Sequence, residues 1–112
     1  MDKVNWYRQL IQELMTERAK LRAPNDPVQS QLIFDRESDH YQLVNAGWKN
    51  NNTRIYGCLW HVDIIDGKIW VQHDGAEDAI ADQLVAKGVP SQEIVLAYHA
   101  PHVRQYTEFA AG

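Results

Sequence analysis

Hydrophobic and polar positions change period several times along the 112 residues. Between residues 3 and 22, Val4, Tyr7, Leu10, Ile11, Leu14 and Met15 recur at helical spacing, and the stem of Arg18 and Leu21 extend the stripe. A helix turns once in 3.6 residues, so such a stripe is one buried face. Asp2 stands where a capping carboxylate receives the free amides of the first turn, and Lys20 and Arg22 suit the negative end of the helix dipole. Pro24, with Pro27 and Asn25-Asp26 beyond it, ends the helix. Residues 23–28 therefore predict a turn-rich linker, too short to separate domains.

From residue 29 the period falls towards two. Residues 29–35 predict a short strand, 36–39 a charged turn, 40–48 a second strand with Gly47 as a candidate bulge, and 49–53 a polar loop. The stretch from Arg54 to His73 predicts two long strands joined at Asp66-Gly67, because both central positions of a tight hairpin need positive φ and these residues tolerate it. With Ile65 opposite Lys68, the ladder sets Ile64 with Ile69, Asp63 with Trp70, Val62 with Val71, His61 with Gln72 and Trp60 with His73. Alternation then gives a core face of Tyr56, Cys58, Trp60, Val62, Ile64, Ile69, Val71 and His73. The second face carries Ile55, Leu59, His61, Asp63, Ile65, Lys68, Trp70 and Gln72. Setting Trp48 against Arg54 lays Val44 over Cys58 on the core face, and puts Tyr41 and Leu43 beside His61 and Leu59 on the second.

Asp74 and Glu77 stand at capping-box spacing and open a predicted helix from about Gly75 to Lys87, with Ala76, Ile80, Ala81, Leu84 and Val85 as its apolar stripe. Gly88 suits a left-handed C-terminal position, Val89 can fold back on Leu84, and Pro90 bars continuation. Residues 91–94 predict a turn, 95–99 a short apolar strand or turn, and the tail beyond Pro101 an edge element. The architecture expected is α+β: one domain over residues 1–112, an antiparallel meander of about four strands, both helices on one face, the C-terminal tail along an edge.

Two helices cover one face only, so the second face is left with exposed apolar and aromatic side chains, a pattern that marks interaction sites. The expected interface is Tyr41, Leu43, Leu59, His61, Asp63, Trp70 and Gln72, with Arg104 and Tyr106 of the tail as a strap.

Composition narrows the function classes. At 45% hydrophobic the chain supports one core without a metal or disulfide, and Cys58, the single cysteine, can form no internal bridge, which fits a reducing cytoplasm. No apolar run approaches the ~18 residues of a membrane-spanning helix. A net charge of −4 with scattered Arg and Lys speaks against a broad phosphate-binding surface, so direct DNA contact is disfavoured. His61 and Asp63, two apart on a strand, point the same way, as a His–carboxylate pair or two metal ligands would. Two ligands do not make a site, and neither metal nor cofactor is expected. Cys58 has no cation nearby in sequence to lower its pKa. His73, His99 and His102 read as edge or loop histidines. The chain contains no GxGxxG, P-loop or GxSxG element, so no catalytic residue is expected.

A string of short segments in order carries a resemblance over nearly the whole chain: Asp2-Lys3, Tyr7-Arg8-Gln9, Asp39-His40-Tyr41-Gln42-Leu43, Tyr56-Gly57-Cys58, His61-Val62-Asp63, Asp66-Gly67-Lys68-Ile69-Trp70, Gly88-Val89-Pro90, and Arg104 through Thr107-Glu108-Phe109. It resembles the XisI family, cyanobacterial controlling factors for excision of the fdxN DNA element. The sequence departs from the family pattern at Ala76, where Thr is frequent. The resemblance implies a small cytoplasmic accessory protein with no known catalytic residues. It implies a XisH-like companion and a site-specific recombinase engaged indirectly, while the uncovered sheet face leads to the expectation of a homo-oligomer or a complex with that companion.

Overall fold

The computed structural model describes residues 2–112. Helix α1 (Lys3–Ala19) leads into strands β1 (Val28–Asp35), β2 (His40–Asn50), β3 (Thr53–Ile65) and β4 (Lys68–Asp74). Helix α2 (Ile80–Ala86), a 3₁₀ turn (Ser91–Glu93), strand β5 (Ile94–Leu96) and the short helix α3 (Pro101–Arg104) follow. The strands form one sheet in the order β1-β2-β3-β4-β5. The α+β expectation holds, with a fifth strand added. β5 runs parallel to β4, since the connection through α2 returns the chain to the same end of the sheet.

The Asp2 carboxylate accepts the Val4 amide at 3.0 Å and caps α1. Tyr7, Leu10, Ile11 and Met15 are buried against Tyr41, Leu43, Trp60, Val62, Ile69 and Val71 of the sheet. The helix stops at Ala19, before the predicted end at Arg22, and Leu21 lies exposed beyond it. The hairpin turns at Asp66 (φ 51°) and Gly67 (φ 79°), both left-handed as expected.

The ladder is interrupted three times, and besides the shift between Trp48 and Asn50 at the β2–β3 turn, two interruptions absent from the sequence-based register decide which side chains share a face. Between β2 and β3, Trp48 pairs with Arg54 and Val44 with Cys58 as anticipated. The register then shifts at Leu59, so Leu43 faces Trp60, Tyr41 faces Val62 and His40 faces Asp63. One extra residue in a strand with a period of two moves everything beyond it to the opposite face. Tyr41 and Leu43 therefore lie in the core under α1, correcting their assignment to the second face. Tyr56 and Cys58 point outward, correcting their assignment to the core. Gly47 is not itself the bulge: a Cβ there would meet the Pro27 carbonyl oxygen at 2.3 Å, so glycine is required by the close approach of β1.

The second shift lies between His61 and Val62 in the β3–β4 ladder, where His61 pairs with His73 and Trp60 with Asp74, leaving Gln72 as the extra residue. The expected pairs of His61 with Gln72 and Trp60 with His73 are thereby displaced by one. His73 turns outward. Asp74 takes its place on the core side, where it accepts the Trp60 indole N–H at 3.0 Å and the Ile80 amide at 3.1 Å. It caps α2 from six residues upstream. The helix begins later than predicted because Gly75 still follows the strand, donating to the Leu59 carbonyl at 2.7 Å. The end of α2 is as expected: Gly88 has φ 108°, its amide bonds to Val85, and the Val89 amide bonds back to Leu84.

The tail follows the β5 edge. Ala110 forms a parallel bridge with Val95, and its amide donates to the Ile94 carbonyl at 2.8 Å.

Candidate functional site

The outer face of the sheet, opposite α1 and α2, divides into two regions. Beyond the Leu59 bulge, towards the β2–β3 turn, cross-strand pairing aligns Val44, Ala46 and Trp48 with Cys58, Tyr56 and Arg54. Trp48 and Tyr56 are 51% and 72% exposed, and the Arg54 guanidinium sits 5.8 Å from the Trp48 ring centroid. Burial pushes the Cys58 thiol pKa up, and its S–H donates to the Trp60 carbonyl. The thiol is therefore poorly suited to nucleophilic chemistry.

Below the bulge lies a polar cluster centred on Asp63, the one buried charged side chain among the described residues, 7% exposed. Its Oδ1 accepts from His40 Nδ1 at 2.8 Å and from His61 Nε2 at 3.0 Å, while Oδ2 accepts from the Gln72 amide at 3.1 Å. His40 and Asp63 are directly opposed across β2 and β3, and His61 lies two residues along on the same face. The hydrogen bond to Asp63 raises the His40 pKa. The donor atoms of His40, His61 and Asp63 all lie within 4.8 Å of one another, so among the described residues these three could hold a metal.

The turn that presents His40 is itself locked. Asp39, with φ 58°, receives both arms of Arg8 from α1, at 2.7 and 3.0 Å, and the Tyr41 hydroxyl at 2.8 Å. Arg8 holds the Asp39 carboxyl below its ordinary pKa, while burial and that carboxylate push Tyr41 up to about 12. The Asp39 carbonyl also accepts the Ile64 amide, tying the turn to β3. Three of the segments that carry the family resemblance, around Arg8, Asp39-His40 and His61-Val62-Asp63, meet here.

The structure thus gathers His61, Asp63 and Gln72 as expected and adds His40. Tyr41 and Leu43 leave the set for the core. Leu59, at the bulge, is half-buried and packs towards the helix side, lining a cleft with Leu21, Leu43 and Asn45. Trp70 is half-buried, and the Arg104 guanidinium stands 5.5 Å from its ring centroid. Arg104 is held there by the carbonyls of His99 and Ala97. The expectation that no element of the chain reaches over Trp70 is therefore corrected, because the segment after β5 folds back across this part of the sheet. Tyr106 remains 82% exposed on the turn after α3. His40, Trp48 and Tyr56 were missed for one reason: nothing in the residue pattern announces the Leu59 bulge.

A family model, described as XisI protein, matches residues 1–111. Among solved structures, a XisI-like protein from Anabaena variabilis is 42% identical, with a TM-score of 0.88 over 95% of this chain and 96% of that one. The fdxN element excision controlling factor XisI from Anabaena variabilis is 34% identical, with a TM-score of 0.84 over 99% of this chain and 100% of that one. No curated protein matches. The family match runs nearly end to end and both folds superpose along almost their full length: the chain belongs to the XisI family.

Proposed function

We propose that this protein is a non-enzymatic accessory factor in the control of DNA-element excision, and that it works by binding protein through the outer face of its sheet. The similarity to an excision controlling factor supports the process. The observation that carries the mode of action is the pair of exposed aromatics, Trp48 and Tyr56, on neighbouring strands of a sheet face that neither α1 nor α2 covers. Aromatic side chains contribute large rigid contact area at little entropic cost, which is why they concentrate in interfaces. His61, Trp70, Gln72, Arg104 and Tyr106 form the polar and aromatic margin of that surface. The partner is a second copy of the chain or a XisH-like protein, with a site-specific recombinase engaged indirectly. The net charge of −4 favours this reading over direct DNA contact.

Light scattering on the purified protein, with co-purification of the XisH-like protein, tests it. Tyr56→Glu should reduce the assembly to monomers or abolish partner capture while circular dichroism stays unchanged. A wild-type monomer at every concentration, combined with undiminished partner capture by Tyr56→Glu, would remove the proposal. A gel shift at low salt that fades steeply as salt is added would replace it with direct DNA binding.

A further inference from the structure

We infer that His40, His61 and Asp63 form a binding site for one divalent transition-metal ion of the zinc class. His40 and Asp63 are paired across adjacent strands and His61 stands two residues along from Asp63, which fixes the spacing of the three donors through the backbone ladder. In tetrahedral zinc coordination, ligand atoms about 2.0–2.2 Å from the metal lie about 3.3 Å from one another. Here the Asp63 oxygen is 2.8 Å from one imidazole nitrogen and 3.0 Å from the other, and all three donor atoms lie within 4.8 Å of one another, so the ion enters as the two rings shift around the carboxylate and it replaces the protons their nitrogens now donate to Asp63. The His40 side chain, 55% exposed, has the freedom to supply that movement.

The supporting groups are those a metal site needs. Gln72 holds the second oxygen of Asp63 and fixes the carboxylate plane, as outer partners of metal ligands do. Arg8 and Tyr41 lock Asp39, so the backbone that carries His40 does not drift. Two imidazoles and one carboxylate suit Zn²⁺, Co²⁺ or Ni²⁺, whereas Ca²⁺ and Mg²⁺ need a shell of oxygens that is not present here. Three protein ligands leave at least one coordination position, open to solvent on the His40 side, for water or a donor from another molecule. The inference does not depend on the docking surface near Trp48 and Tyr56, and each can fail without the other.

The test is calorimetric titration of the metal-stripped full-length protein with Zn²⁺, repeated with Co²⁺ while its visible absorption is recorded. One ion per chain should bind, and affinity should fall by more than about 100-fold in both His40→Ala and His61→Ala. Gln72→Leu should weaken binding about tenfold, and His102→Ala should leave it unchanged. In wild-type protein, zinc should shift the imidazole NMR signals of His40 and His61 and leave those of His99 and His102 in place, a readout that needs no variant to fold. Absence of binding at millimolar zinc would overturn the inference. So would equal affinity in wild type and both histidine variants, which would mean surface histidines elsewhere held the ion.

Discussion

The β2–β3 ladder carries two surfaces on one pair of strands, and they obey different rules. Towards the β2–β3 turn, Val44 to Trp48 and Arg54 to Cys58 keep the simple alternation, and the aromatic side chains of Trp48 and Tyr56 face solvent. Past Leu59 the same strands bury Tyr41, Leu43, Trp60 and Val62 completely beneath α1 and turn His40, His61 and Asp63 outward. Aromatic content does not separate the regions, since Trp48 and Tyr56 lie in one and Trp60 and Tyr41 in the other. What separates them is one inserted residue and the presence of a helix. An aromatic in a strand signals burial only when something is there to bury it.

The largest expected effect contrasts the two regions directly. Trp60→Ala should lose about 3–5 kcal/mol of stability, since it empties a fully buried site and orphans Asp74, whereas Tyr56→Ala should stay within about 0.5 kcal/mol; urea unfolding of the two variants measures both. Equal losses would show that the region beyond the bulge is packed as tightly as the core. Gly47→Ala comes next, at about 2 kcal/mol in the same assay, because its Cβ would press on the Pro27 carbonyl at 2.3 Å and force β1 away from β2.

Acid then sharpens the view of the region under the helices. The Asp39 carboxyl is held low by the Arg8 hydrogen bonds first, with burial opposing. A depressed carboxyl contributes stability that is complete above its unfolded pKa of about 3.9 and is lost as pH falls through the lower folded value. Urea midpoints followed from about pH 6 to about pH 3 should therefore fall, and should fall less in Arg8→Ala, which lacks the linkage. Parallel profiles would exclude Asp39 as a contributor. The smallest effect is Arg104→Ala, about 1 kcal/mol, from the lost cation–π contact with Trp70 and two hydrogen bonds to carbonyls.

Much of the fold was legible because local chemistry dictates it. The α1 stripe, the Asp66-Gly67 turn with its first four pairs, and the Gly88-Val89-Pro90 stop are each written in a few neighbouring residues, and each is found as expected. The bulges at Leu59 and Gln72 were not legible, because an extra residue in a strand satisfies no local preference of its own. It is set by which side chains the helices demand on their side. The Leu59 bulge sent Tyr41 and Leu43 to the wrong face and hid His40 from its partners, and the Gln72 bulge placed His73 where Asp74 belongs. The His61–Asp63 pair survived because both residues lie on the same side of the interruption.

The parallel β5 has a kinetic consequence. Every other strand meets its neighbour through a tight reversal, whereas three-residue β5 reaches β4 only after residues 75–93 have closed a long excursion. Strands with few pairs and distant tethers open most cheaply. Amide hydrogen exchange should thus show the Ile94–Leu96 segment detaching before the β2–β3 pair loosens, briefly baring Ile69 and Val71 to water.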